Sequence, residues 1–85
     1  MKIWKHIHTG EWSLCLLEGE KLSDCKRELT GEKAIVLDPL YSKPHSFMVY
    51  RVWAGGKEYR IAAGEFSMCC WGFYLEVDAE SESNS

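Results

Sequence analysis

Long apolar runs are missing from this 85-residue chain. No stretch approaches the ~20 apolar residues that a membrane-spanning helix requires. The amino terminus, Met1-Lys2-Ile3-Trp4-Lys5-His6-Ile7-His8, has no apolar segment of signal-peptide length. Both absences lead to the expectation of a cytoplasmic protein without membrane contact. The sequence also lacks any Cys-x-x-Cys pair, the spacing that gives structural zinc sites two ligands from one turn. Its four cysteines are Cys15, Cys25, Cys69 and Cys70. In a reducing compartment they read as thiols, and the adjacent Cys69 and Cys70 do not bridge each other without strain. A phosphate loop is excluded too. Gly55-Gly56-Lys57 has neither the earlier glycine nor the Ser or Thr after lysine that cradle a phosphate and its metal. No nucleophile–base signature is present, so neither an enzyme nor a cofactor is expected.

A large excess of one charge is absent as well. Ten Lys and Arg stand against thirteen Asp and Glu, a net −3. Four of the acids are Glu76, Asp78, Glu80 and Glu82, and without them ten bases face nine acids. A near-neutral body argues against non-specific nucleic-acid binding, which rests on a basic surface, and against an acidic nucleic-acid mimic. Residues 78–85 offer a core almost nothing apolar and are expected to be a disordered, acidic, Ser-rich tail. Residues 1–77 remain as one small domain, with four Trp, four Tyr and three Phe to fill its core.

Strand signals dominate what is there. Phe47 to Ala54 is rich in β-branched and aromatic residues, Gly55-Gly56 follows, and Lys57 to Ala62 returns. Glycine reaches the positive φ of a primed turn, so this reads as a hairpin. The two-residue turn sets Trp53 opposite Glu58, Val52 opposite Tyr59, Arg51 opposite Arg60 and Tyr50 opposite Ile61. Met48, Tyr50, Val52, Tyr59 and Ile61 then share a core face, because strand side chains alternate. Trp53, Arg51, Arg60 and Glu58 share the other.

The remaining elements are shorter. Residues 2–8 and 12–17 read as a first hairpin through Thr9-Gly10, pairing Ile7 with Trp12, Lys5 with Leu14 and Ile3 with Leu16. Ser23 or Asp24 is placed to cap a short helix through Leu29, with Gly31 past its end. Lys33 to Leu37 is a strand that Asp38-Pro39 ends. Tyr41 to Ser46, with Pro44, is a loop, Ala63 to Met68 a turn, and Trp71 to Val77 a last strand with Trp71, Phe73, Leu75 and Val77 on one face. The fold class is therefore mainly β, with five to six antiparallel strands and at most one short helix. The order of elements is similar to that of an SH3-like barrel. This likeness is one of architecture; an OB-like barrel or an open α+β sheet is the alternative.

The candidate binding residues are Trp53, Arg51, Arg60, Glu58, Lys57 and Trp4. Arginines directly opposite each other repel, so Glu58, another part of the chain or a partner must balance them. Tryptophan and arginine are the residues most enriched at binding hot spots. The leading expectation is a small adaptor or inhibitor that binds another protein through this face. The alternative is an RNA- or single-stranded-DNA-binding barrel in which Trp and Arg stack on bases. A third arrangement is an internal ladder, with both arginines sharing Glu58 and Trp53 lying across their stems. His6 and His8, two apart on a strand, would share a face with Cys15 nearby, but this pattern is too short to assign a metal, and none is assigned. The edge of residues 2–8 offers a route to a homodimer.

Overall fold

The computed structural model describes residues 1–67 and 70–79. Met68, Cys69 and the expected tail beyond Ala79 lie outside the described residues. The chain runs β1 (Lys2–Gly10), β2 (Leu16–Leu17), β3 (Glu20–Lys21), a 3₁₀ turn (Leu22–Asp24), β4 (Lys26–Leu37), β5 (Pro44–Ala54), β6 (Lys57–Ser67) and β7 (Cys70–Asp78). The five long strands form one antiparallel sheet in the order β1-β7-β6-β5-β4, and β2 pairs with β3. The protein is thus mainly β, as its composition indicates.

The central hairpin has the register its turn dictates: Trp53↔Glu58, Val52↔Tyr59, Arg51↔Arg60 and Tyr50↔Ile61. Gly55 and Gly56 both take positive φ, 58° and 77°, which side-chain-bearing residues rarely adopt. The first hairpin does not form. β1 pairs with β7 instead, setting Trp4 opposite Glu76 and His6 opposite Tyr74. Its last positions shift at a bulge between His6 and His8. β4 begins at Lys26 and bends at an irregularity between Leu29 and Lys33, where Gly31 has φ 86°. The expected helix is reduced to one 3₁₀ turn, and Leu29 belongs to the strand. The expected turn from Ala63 is strand through Ser67. β7 continues through Asp78, which pairs with Lys2, one residue into the expected tail.

Each face of the sheet has its own core. On face one, Val52, Ala54, Ile61, Ala63 and Phe73 pack under residues 11–25, which contribute Cys15, Leu17, Leu22 and Cys25. Trp12 plugs this layer, meeting Phe73, Tyr50 and Trp71 edge-on at 5.0, 5.3 and 5.7 Å. The Arg27 guanidinium lies 4.7 Å from the Trp12 ring and donates to the Leu22 carbonyl at 3.1 Å. On face two, Ala34, Val36, Phe47, Val49, Ala62 and Tyr74 form the second core, with Trp4 and Phe66 against it.

The sheet curls toward face two. Tyr74 on β7 donates its hydroxyl to the Leu37 carbonyl on β4 at 2.6 Å. Those strands are three places apart, and three flat steps of about 4.8 Å exceed the reach of a tyrosine. Curvature brings them together. Among the described residues β1 and β4 nevertheless remain the two edges of the sheet.

Candidate functional site

The register gathers most of the predicted residues on face two. Successive pairings place Trp4 beside Glu76, Arg51 between Glu28 and Arg60, and Trp53 between Lys26 and Glu58. Lys57 pairs with Ala54, whose side chain is buried in the face-one core, and so belongs to the other face. The repulsion between Arg51 and Arg60 is balanced from within, though not by Glu58. Arg60 Nε donates to Glu76 Oε1 at 3.1 Å and Arg60 Nη2 donates to Glu32 Oε2. Glu28 on β4 stands opposite Arg51. Trp53 is half-buried beneath Lys26, whose Nζ lies 4.9 Å from the ring centroid. Trp4 is half-buried against the face-two core. The row Trp4, Glu76, Arg60, Arg51 and Glu28 is a cross-strand ladder in which a carboxylate flanks the arginine pair on each side, as opposite charges on neighbouring strands favour.

His6 and His8 separate at the β1 bulge. The His6 ring meets Tyr74 on face two at 5.2 Å and its Nε2 is 2.7 Å from Thr9 Oγ1. His8 packs at 5.8 Å from Phe73, a face-one residue. Cys15 is buried in that core, where desolvation pushes its thiol up to about 11 and the neighbouring Cys25 adds to the rise. Among the described residues, no three His, Cys, Asp or Glu side chains group as metal ligands. No helix among them is long and apolar enough to cross a membrane.

Two features escaped sequence reasoning. The first is the β4 edge with the surface beside it. Five of the nine exposed large apolar side chains among the described residues fall between positions 29 and 41: Leu29, Ile35, Leu37, Leu40 and Tyr41. Leu29, Ile35 and Leu37 share face one, beyond the cover of residues 11–25. A shallow groove of about 270 Å³ continues inward from them over Met48, Tyr50, Ala63 and Trp71. The strand at Lys33–Leu37 was legible, but its position at an edge was not.

The second is a cavity of about 750 Å³ at one end of the sheet, roofed by residues 38–43. Asp38 builds the roof. Its Oδ1 accepts from the Leu40 and Tyr41 N–H groups at 2.7 and 2.9 Å, and its own N–H donates to the Lys43 carbonyl at 2.8 Å. His45 and Cys70 line the same cavity.

Both carboxylates that organise these regions are acid-sensitive. Hydrogen bonds from Tyr41 and Leu40 hold Asp38 below its ordinary 3.8, and the hydrogen bond and charge of Arg60 hold Glu32 below 4.5. A depressed folded-state value means stability that is present above the unfolded value and lost as pH falls through the folded one. The urea midpoint is therefore expected to be flat from neutrality to about pH 5 and to fall below about pH 4. Glu32→Gln should reduce that fall; a slope equal to wild type would remove the Arg60–Glu32 pair from the account.

Comparisons with protein-family models, curated proteins and solved structures return no match to this chain.

Proposed function

We propose that this chain is a protein-interaction module that captures an extended apolar segment of another protein along the outer edge of β4. One observation carries the reading: an edge strand, unpaired on its outer side among the described residues, whose second half exposes Ile35 and Leu37 beside a groove of mixed polarity lined by Met48, Tyr50 and Trp71. Edge strands are ordinarily guarded by charges and bulges. The first half of β4 is guarded in that way, by Lys26, Arg27, Glu28, the bend at Gly31 and Glu32. Lys33–Leu37 keeps a single charge at its start. Addition of a strand there satisfies backbone groups, and alternate apolar side chains on the incoming strand meet Ile35, Leu37 and the groove. The sheet's curl supports viewing the domain as a small SH3-like barrel left open between β1 and β4.

This places the interaction away from the Arg51–Trp53 face. Arg60 already bridges two carboxylates and Trp53 already carries Lys26, so two of that face's candidate residues have partners within the chain. Affinity capture from a native lysate, with and without nuclease, separates the readings. The double variant Ile35→Lys/Leu37→Lys is expected to lose the captured protein by about tenfold or more, as removal of a hot spot does. Arg51→Ala/Trp53→Ala is expected to retain it, and exposed Leu14→Lys serves as the control. Both altered leucines and the isoleucine are exposed, so folding should be unchanged within about 0.5 kcal/mol. Capture lost on nuclease treatment, or lost only with the Arg51/Trp53 variant, would contradict the proposal.

A further inference from the structure

The cavity under residues 38–43 has a built wall and a consistent chemistry. At about 750 Å³ it falls within the range of small-molecule sites, ~300–1,000 Å³. Pro39, Leu40, Tyr41 and Phe66 supply apolar walls, and the His6 ring adds a flat one. Leu40 and Tyr41 are mostly exposed, yet their backbone is fixed by Asp38 rather than by burial of their side chains. Ser42 helps to close the turn, with φ 56° and its N–H on the Asp38 carbonyl at 2.8 Å. Such a turn holds its side chains in position before any ligand arrives, which lowers the ordering cost of binding.

Among the described residues the lining carries one carboxylate, Asp38, and one permanent cation, Lys43. The Asp38 carboxylate faces groups of the chain itself. Oδ1 accepts two backbone N–H groups, and Oδ2 lies 3.5 Å from His45 Nε2. That nitrogen is shielded from solvent and makes no hydrogen bond among the described residues. Lys43, the permanent cation among the described lining residues, is solvent-exposed. Thr9 and His6, 2.7 Å apart, add hydroxyl and imidazole polarity on the β1 side. An apolar body with one anionic end matches this layout: rings against Tyr41, Phe66 and His6, and the anion at Lys43.

From this geometry we infer that the cavity binds a small aromatic carboxylate, with Lys43 receiving the carboxylate and the Leu40–Tyr41 turn covering the ring. The site borders the β4-edge surface through Leu40, Tyr41 and His45, but the inference does not rest on the interaction reading.

The test uses the full chain, 2-naphthoate and its neutral counterpart 2-naphthamide, followed by backbone amide chemical shifts. Saturable shifts centred on Thr9, Leu40, Tyr41 and Lys43 are expected with 2-naphthoate. Lys43→Met should weaken 2-naphthoate about tenfold, the size of one lost charge-assisted hydrogen bond, and change 2-naphthamide less than about threefold. Leu40→Glu should weaken both ligands. Lys43 and Leu40 are exposed, so both variants are expected to fold as wild type does. Shifts that do not saturate at millimolar ligand, shifts centred away from these residues, or equal losses for both ligands in Lys43→Met would overturn the inference.

Discussion

Trp12→Ala is expected to destabilise the domain by about 3–5 kcal/mol and to unmask two buried thiols. Trp12 is half-buried, and with Cys15, Leu17, Leu22 and Cys25 it seats residues 11–25 on face one. It meets three aromatic rings edge-on, each such pair contributing about 0.5–1.5 kcal/mol beyond area burial. Its removal also takes the platform from under the Arg27 guanidinium, which anchors the Leu22 and Ser23 carbonyls. Leu22, Cys15 and Cys25 would then lose their lid. In the intact protein, burial raises both thiols, Cys15 to about 11, so at pH 8 the reactive thiolate is a minor species. A domain of this size has roughly 5–15 kcal/mol in hand, so the loss is a large fraction of it. Urea unfolding together with alkylation of the Cys15 and Cys25 peptides reads both effects. Trp12→Phe should recover part of each. An unchanged midpoint with protected thiols would mean that residues 11–25 hold to the sheet by other contacts.

The second large effect is expected at Gly64, where a side chain has no place to go. A Cβ there would sit 2.4 Å from Phe47 Cδ1 and 2.8 Å from both Cγ and Cε1. Phe47 is buried, with Phe66 at 5.4 Å and His45 at 5.7 Å from its ring, so it cannot swing clear. Gly64→Ala should cost about 1–3 kcal/mol by overpacking, and Gly64→Val more. Gly72, its partner on β7, provides an internal comparison. A Cβ at 72 meets chiefly the far end of the Phe66 ring, at 2.2 Å from Cζ, and that ring is only half-buried. Gly72→Ala is therefore expected to cost less than Gly64→Ala. Trimming Phe47 to leucine should make the Gly64→Ala penalty smaller, because residues in contact do not add independently. Equal penalties with and without the Phe47 change would place the strain elsewhere.

The contrast between Gly55 and Gly64 shows what could be read in advance. Gly55-Gly56 acts through the local backbone, so the turn, the register and the Arg51–Arg60 opposition were all legible. Gly64 acts through a ring from a neighbouring strand, and in the sequence alone it looked like the start of a turn. The same division holds for the pairing of β1. Thr9-Gly10 between two apolar-patterned runs suggested a local hairpin, whereas the observed partner lies some seventy residues away at β7. The bulge before His8 then reversed the side-chain alternation on which the His6–His8 face depended. The need to balance the paired arginines was correct physics, but the carboxylates that answer it, Glu32 and Glu76, come from strands β4 and β7. The edge position of β4, and with it the exposure of Ile35 and Leu37, follows from strand order, which no local pattern encodes.

The most direct measurement is site-specific photo-crosslinking in the lysate, with the photoreactive side chain placed at position 35 in one protein and at position 51 in another. Covalent capture of the same protein from position 35, and little from 51, is the predicted result. Capture from position 51 with none from 35 would return the interface to the Arg–Trp face and contradict the assignment of β4.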